Sequence, residues 1–174
     1  MLIVFSGLPG TGKTTLAQAL AAARGAAYLR IDAIEQALCT VGGGRAPAGP
    51  EGYRVAYALA ESNLRLGLAV VADCVNPLEV TRAAWRDVAR RAGAPLVEVE
   101  VVCPDRAEHR RRVEGRRADL PGHVLPTWAS VLSHEYAPWQ GERLVLDTAA
   151  LSVPQALDAL VQACTAAGAS RQKK

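Results

Sequence analysis

Gly7-Leu8-Pro9-Gly10-Thr11-Gly12-Lys13-Thr14 satisfies the spacing G-x-x-x-x-G-K-[ST] at every position. That spacing suits a polyphosphate. The glycines let the backbone turn sharply and aim N–H groups at anionic oxygens, and a helix starting behind the loop adds partial positive charge. Lys13 is placed to reach the β- and γ-phosphates of a nucleotide, and the Thr14 hydroxyl to ligand Mg²⁺. The flanks agree with the motif. Leu2-Ile3-Val4-Phe5 is a short apolar run, read as a buried strand, and Thr14 through Arg24 is Ala/Leu-rich, read as a helix. The competing reading is a glycine-rich turn that binds nothing. The only lysines are Lys13, Lys173 and Lys174, every other base being arginine. A compact ammonium on a flexible stem suits that loop position better than a planar fork.

Other residues with chemical potential stand just after apolar runs. Asp32 ends Tyr28-Leu29-Arg30-Ile31, with Glu35 three residues on. It reads either as a helix N-cap in a capping box or as a general base accepting the proton of an attacking hydroxyl, and one residue can do both. Asp73 follows Ala69-Val70-Val71-Ala72. An acid there can hold Mg²⁺ directly or through water; alternatively it opens the turn Asp73-Cys74-Val75-Asn76-Pro77. Arg112 and Arg116 are four apart, on one face of an expected helix. One guanidinium could lie over a base and the other on a transferring phosphoryl group; equally, the run is a solvated basic face. His109, His123 and His134 form no cluster and read as surface or loop residues. Trp85 and Trp128 read as packing residues. Tyr53, Tyr57 and Glu61 share a helix face that fits either an acceptor pocket or the core.

These residues need a scaffold. The expected strands are Leu2–Ser6, Ala27–Ile31, Ala69–Ala72, Leu96–Val102 and Leu144–Leu146. The expected helices are Lys13–Arg24, Ile34–Leu38, Gly52–Leu66, Leu78–Arg91, Asp105–Glu114, Thr127–Tyr136 and Val153–Ala166. Such alternation predicts an α/β fold, a parallel sheet covered by helices on both faces, with ligands bound outside the carboxyl ends of the strands. Two stretches break the rhythm. Thr40–Pro50, rich in Gly and Pro, reads as a mobile acceptor-side loop. Gly115–Pro126, with its arginines and Asp119, reads as a surface flap. Residues 1–168 read as one domain and 169–174 as a frayed basic tail.

The bulk properties exclude several classes. The chain has 174 residues, a net charge of +3 and 50% hydrophobic residues, enough for one core. No apolar stretch is long enough to span a membrane, and the octet follows too soon for a signal peptide. Cys39, Cys74, Cys103 and Cys164 lack metal-ligand spacing and read as reduced thiols, hence a cytoplasmic protein. The mild positive charge suits a phosphorylated ligand without pointing to nucleic acid.

Ser6 through Thr15, Ile31-Asp32, Asp73-Cys74-Val75-Asn76 with Arg82, and Arg112…Arg116 together resemble the small P-loop kinases. That AAA-type ATP-binding group includes chloramphenicol-phosphotransferase-like, zeta-toxin-like, gluconate-kinase-like and polynucleotide-kinase-like members. The resemblance runs from Leu2 to about Ala166. It implies a three-layer P-loop NTPase fold with five parallel strands in the order 2-3-1-4-5, and an arginine-bearing lid at about 115–126. It also implies ATP as donor and Mg²⁺ as cofactor. Gly7 through Thr15 and Arg112 would bind ATP, with Thr148–Val153 skirting the adenine. Lys13, Asp32 and Arg116 would be catalytic, with Arg117 as the alternative lid arginine. Asp32, Asp73, Asn76 and Arg82 would face the acceptor, and Thr14 and Asp73 the metal.

The expectation is an ATP-dependent transfer of the γ-phosphoryl group to a hydroxyl of a small molecule: an antibiotic, a sugar or another metabolite. One alternative is a polynucleotide 5′-hydroxyl kinase, although no basic stripe with interleaved aromatics is visible. Another is a nucleotide-dependent switch or toxin-like module acting on a partner. The sequence carries no acceptor signature and no indication of oligomeric state.

Overall fold

Apolar runs short enough to be strands alternate with amphipathic stretches long enough to be helices, and the chain folds accordingly. The computed structural model describes residues 1–43 and 50–169. The strands are β1 (Leu2–Ser6), β2 (Ala27–Arg30), β3 (Val70–Asp73), β4 (Leu96–Val102) and β5 (Leu144–Asp147). They form one five-stranded sheet in the order β2-β3-β1-β4-β5, every pairing parallel. The helices are α1 (Lys13–Arg24), α2 (Ile31–Val41), α3 (Glu51–Arg65), α4 (Glu79–Arg91), α5 (Arg106–Gly115), α6 (Trp128–Leu132) and α7 (Val153–Ala169).

The side-chain alternation of the strands divides the core in two. Ile3, Phe5, Val99, Val101 and Leu146 pack against Leu16 and Leu20 of α1 and Leu160 of α7. Leu2, Val4, Val70 and Ala72 pack on the opposite face, against Ala56, Ala60 and Leu64 of α3 and Trp85 and Val88 of α4. β1 is buried throughout, as the central strand of such a sandwich must be. Each fully buried Leu or Val contributes roughly 1.5–3 kcal/mol by leaving water. Trp85 is fully buried, its ring set edge-on to Tyr57 with centroids 4.6 Å apart. No described helix is long and apolar enough to cross a membrane.

Several boundaries move. β2 ends at Arg30, because Ile31 already belongs to α2, which runs on through Val41. Asp32 therefore lies inside the first turn of α2. The N-cap position is Arg30, with no side-chain cap, so the capping-box expectation fails. Asp73 is the last residue of β3 rather than the residue after it. α6 is five residues long, not ten. Beyond it the chain turns back to the start of α4, where the Ala137 N–H meets the Pro77 carbonyl at 2.8 Å.

The expected loop at 40–50 is partly helix: Thr40 and Val41 close α2, the Gly42 N–H bonding to the Leu38 carbonyl at 2.8 Å. Residues 44–49 lie outside the described residues, as do 170–174 of the expected tail. Residues 116–127 connect α5 to α6 without regular structure.

Candidate active site

The glycine loop leaves β1 at Ser6 and enters α1 at Lys13. Gly7, Gly10 and Gly12 all have positive φ, at 143°, 84° and 89°. A Cβ on Gly7 would strike the Val101 carbonyl oxygen of β4, and one on Gly10 would lie 2.5 Å from the Val113 side chain of α5. The loop is thus wedged between sheet and helix. It is braced on the α5 side by His109, whose Nε2 lies 2.8 Å from the Pro9 carbonyl oxygen and whose ring stands edge-on to Trp128. His109 is buried, not a surface residue. On the other flank, the Thr148 hydroxyl lies 2.8 Å from the Thr11 carbonyl oxygen. Leu8 and Pro9 carry the turn; Thr11 is buried, its hydroxyl donating to the Leu8 carbonyl at 2.9 Å.

Lys13 is itself buried, its ammonium 3.5 Å from the Leu8 carbonyl oxygen. Burial pulls its pKa down, while Asp73 and Asp32 pull it up and Arg116 adds to the lowering. Those three named charges mark out the site. Asp73, buried at the end of β3, accepts a 2.7 Å hydrogen bond from the Tyr28 hydroxyl. Burial and then that carboxylate hold the phenol protonated far above its ordinary range. Asp32 is a third exposed and 3.4 Å from Arg30.

The arginines close the opposite wall. A cavity of about 370 Å³ is lined by Gly10, Gly12, Lys13, Thr14, Thr15 and Gln18 on one side, and by Arg112, Arg116, Arg117 and Asp119 on the other. Arg112 and Arg116 do not share a helix face, because α5 stops at Gly115 and Arg116 is extended, with ψ near 141°. Arg112 is not free either. Its guanidinium donates to Glu108 at 2.7 Å and to the Thr148 hydroxyl and carbonyl at 2.8 and 3.0 Å. It ties α5 to the turn after β5. A second cavity of about 390 Å³ opens there, lined by Gly12, Thr15, Leu16, Arg112 and Thr148–Val153 residues Leu151, Ser152 and Val153. It has the apolar walls a nucleobase needs.

Two residues expected on the acceptor side are not brought into the cleft. Arg82 is fully buried. Its guanidinium donates to the carbonyls of Asn76, Pro77, Ala137 and Pro138 at 2.8–3.2 Å and lies 4.1 Å from the Trp139 ring centroid. With four of its five N–H groups spent on carbonyls, it clamps the 137–138 segment to the turn after β3. Asn76 is also fully buried, with φ of 50°. Its amide donates to Ser6 Oγ at 3.0 Å, and its N–H to the Tyr53 hydroxyl at 2.9 Å. It holds the turn after β3 against the start of the glycine loop. Tyr53 and Tyr57 belong to the core beside Trp85, while Glu61 pairs with Arg65 and Arg91 on the surface. His134 is exposed, and His123 sits in a turn of the 116–127 connection.

Sequence reasoning passed over Arg30. Its side chain is only 4% exposed and pairs with both Asp119 and Asp32. An arginine interrupting an otherwise apolar strand was the available signal.

Among the described residues no group of three or more His, Cys, Asp or Glu could hold a metal. Mg²⁺ asks for less, since it keeps its waters and takes phosphate oxygens alongside one or two protein oxygens. The Thr14 hydroxyl and the Asp73 carboxylate are hard oxygen donors on the loop side of the site and fit that role.

The fold is shared with solved kinases. The chain aligns with a candidate kinase from Chloroflexus aurantiacus at TM-score 0.73 and 22% identity, covering 93% of this chain and 97% of that one. It aligns with the Mycobacterium tuberculosis APS kinase, crystallised with AMPPNP and APS, at 0.70 and 20%, covering 94% and 96%. A gluconokinase from Sinorhizobium meliloti gives 0.67 and 22%, covering 99% and 96%. No curated protein sequence matches the chain. A family model described as an AAA domain matches residues 2–135. With that match over most of its length, and with the sheet order and helical layers of the P-loop kinases around its glycine loop, this chain belongs to the AAA-domain family of P-loop kinase fold.

Proposed function

We propose that this protein is an ATP-dependent kinase that transfers the γ-phosphoryl group to a hydroxyl of a small molecule. The observation that carries the reading is the cavity over the glycine loop, with Lys13 on one wall and Arg112, Arg116 and Arg117 on the other. A site walled by cations on both sides, with Asp32 and Asp73 near Lys13, suits a group that carries negative charge and gains more of it as it moves. The APS kinase crystallised with AMPPNP supports a nucleotide in this fold.

In this reading the loop amides and Lys13 hold the β- and γ-phosphates, and the base lies in the apolar cavity beside Leu151 and Val153. Mg²⁺, held by Thr14 and Asp73, would supply charge neutralisation on the β- and γ-oxygens when bound. Residues 116–127 act as a lid that excludes water. Asp32 accepts the proton of the acceptor hydroxyl. The acceptor oxygen bonds to the γ-phosphorus as the bond from that phosphorus to the β–γ bridging oxygen breaks, and ADP leaves with that oxygen. Lys13 and Arg116 meet the charge spreading over the equatorial oxygens.

The test is ADP and AMPPNP titration followed by an ADP-release assay on a panel of sugars, sugar acids, aminocyclitols and 5′-hydroxyl oligonucleotides. Nucleotide binding with turnover on a small hydroxyl compound is the expected outcome. Turnover confined to oligonucleotides would replace the acceptor class. Tight nucleotide binding with no acceptor turnover, and a stable protein complex recovered from lysate, would favour the switch. Absence of nucleotide binding would sink the reading.

A further inference from the structure

Arg30 is the last residue of β2 and is paired in register with Asp73 of β3, at the carboxyl edge of the sheet. A guanidinium this deeply buried needs its counter-charge held close. Its principal partner comes from no neighbouring strand. Both terminal nitrogens donate to Asp119, Nη2 at 3.1 Å, from the 116–127 connection; the Asp119 side chain is 47% exposed. The contact to Asp32 is longer, 3.4 Å from Nη2. Asp119 also faces Arg116, 3.9 Å away. A charge chain thus runs from Asp32 through Arg30 and Asp119 to Arg116, which in turn acts on Lys13. The pair is electrostatically strong: Arg30 holds the Asp119 carboxyl below its ordinary range. Packing supports the same closure. The turn at Leu120–His123 brings Gly122 onto Gln36 of α2, where an added Cβ would lie 2.9 Å from the Gln36 amide nitrogen.

We infer that Arg30 is a positioning residue. By binding Asp119 it latches the 116–127 lid to the Asp32 end of the sheet, and so couples the seating of Arg116 over the phosphate groove to the carboxylate that faces the acceptor. The catalytic part of this inference rests on the proposed kinase reading; the latch itself does not. When the lid lifts, Arg30 loses Asp119 and keeps only Asp32, so the open form turns its guanidinium onto the base. When the lid closes, as in this structure, Asp119 takes both terminal nitrogens of Arg30 and leaves Asp32 only the longer 3.4 Å contact, so the hold on the base weakens as Arg116 arrives.

The experiment compares wild type, Asp119→Asn, Asp119→Glu, Arg30→Gln and the double Arg30→Gln/Asp119→Asn, each with ADP bound. Asp119 is half-exposed but its loss leaves Arg30 with Asp32 alone, so thermal melts are run on every variant and the exchange is compared only among those that stay folded. The first readout is amide hydrogen exchange in 116–126, which reports lid opening independently of turnover. Asp119→Asn should speed exchange there by about tenfold, the scale for losing a charge-assisted hydrogen-bonded pair, with the rest of the sheet unchanged. The second readout is kinetic: kcat should fall by roughly tenfold or more while the ATP KM moves less, because a lid arginine acts on the transition state. The double variant should be no worse than the worse single, and Asp119→Glu should recover part of the loss. Unchanged lid exchange in Asp119→Asn would overturn the latch. Faster exchange with unchanged kcat would overturn the coupling to chemistry. A wild type that phosphorylates nothing would instead count against the kinase reading, leaving the exchange arm to decide the latch.

Discussion

Asp32→Asn separates structure from chemistry at the position where the proposed reaction is most exposed to test. Asp32 makes no cap to lose, because the helix already includes Ile31. What Asn removes is the charge on a 3.4 Å contact to Arg30, a partner that keeps Asp119, and with it a negative charge in the first turn of α2. A pair with one member a third exposed contributes about 0–1 kcal/mol, and a first-turn acid about 0.3–1 kcal/mol. The stability cost is therefore about 0.3–2 kcal/mol, a fall in Tm of roughly 1–8 °C for a chain of this size. Loss of a general base costs a factor of about 10²–10⁴ in kcat, or roughly 2.7–5.5 kcal/mol on the barrier. The catalytic effect exceeds the structural one, and the two are read by different assays, so they are separable. The assay is initial ADP release at saturating ATP and acceptor, beside thermal melts and an ADP titration. ADP affinity should stay near wild type. A kcat within about threefold of wild type, with the small Tm shift present, would return Asp32 to a purely electrostatic role at the helix start.

Lys13→Ala should abolish phosphoryl transfer, and Lys13→Arg should fail as well, because the planar fork does not fit a buried site shaped for an ammonium; near-normal turnover in either would remove the glycine loop from the mechanism. Arg116→Ala should lower kcat with little change in ATP KM. Arg112→Ala should instead raise ATP KM, because it releases Thr148 and loosens the nucleobase wall; equal small effects from both would reduce them to a basic surface. Glu35 gives a pH prediction. Burial, then Asp32 and Glu51, raise its pKa, so the folded state binds its proton more tightly than the unfolded state does. That contribution to stability is fully present below the ordinary glutamate range and is lost as pH rises through the raised folded value. Glu35→Gln should therefore raise Tm at pH 7.5 relative to wild type, the gain shrinking as pH falls and vanishing well below the ordinary glutamate range, where the glutamate is protonated in both states; melts across that range showing no pH-dependent difference would refute the cause assigned.

The glycine loop, the strand order and the two helical layers were legible because they rest on local chemistry: an eight-residue spacing rule, short apolar runs, and periodicity that changes from strand to helix. The acids at the strand ends were legible for the same reason, since in a parallel sheet the carboxyl edge is where polar residues after apolar runs must gather. Arg82 was not. A basic residue downstream of an acidic turn looks the same in sequence whether its donors face a substrate or four carbonyls. Two of those carbonyls arrive with Ala137 and Pro138, from the segment just beyond the expected helix Thr127–Tyr136. Asn76 failed similarly, because its partners Ser6 and Tyr53 lie on two other elements. The missed Arg30 is the converse case. In β2 alone it is an anomaly, a charge in a strand; besides the longer contact to Asp32, its counter-charges come through the β2–β3 register beside Asp73 and the return of the connection carrying Asp119. Residue type at a strand end therefore announces that a charge must be satisfied there. Which group satisfies it, a backbone carbonyl, a carboxylate of the 116–127 connection or a ligand, is fixed by segments distant in sequence. That is why the glycine loop could be read from eight consecutive residues, and the partners of Arg30, Arg82 and Asn76 could not.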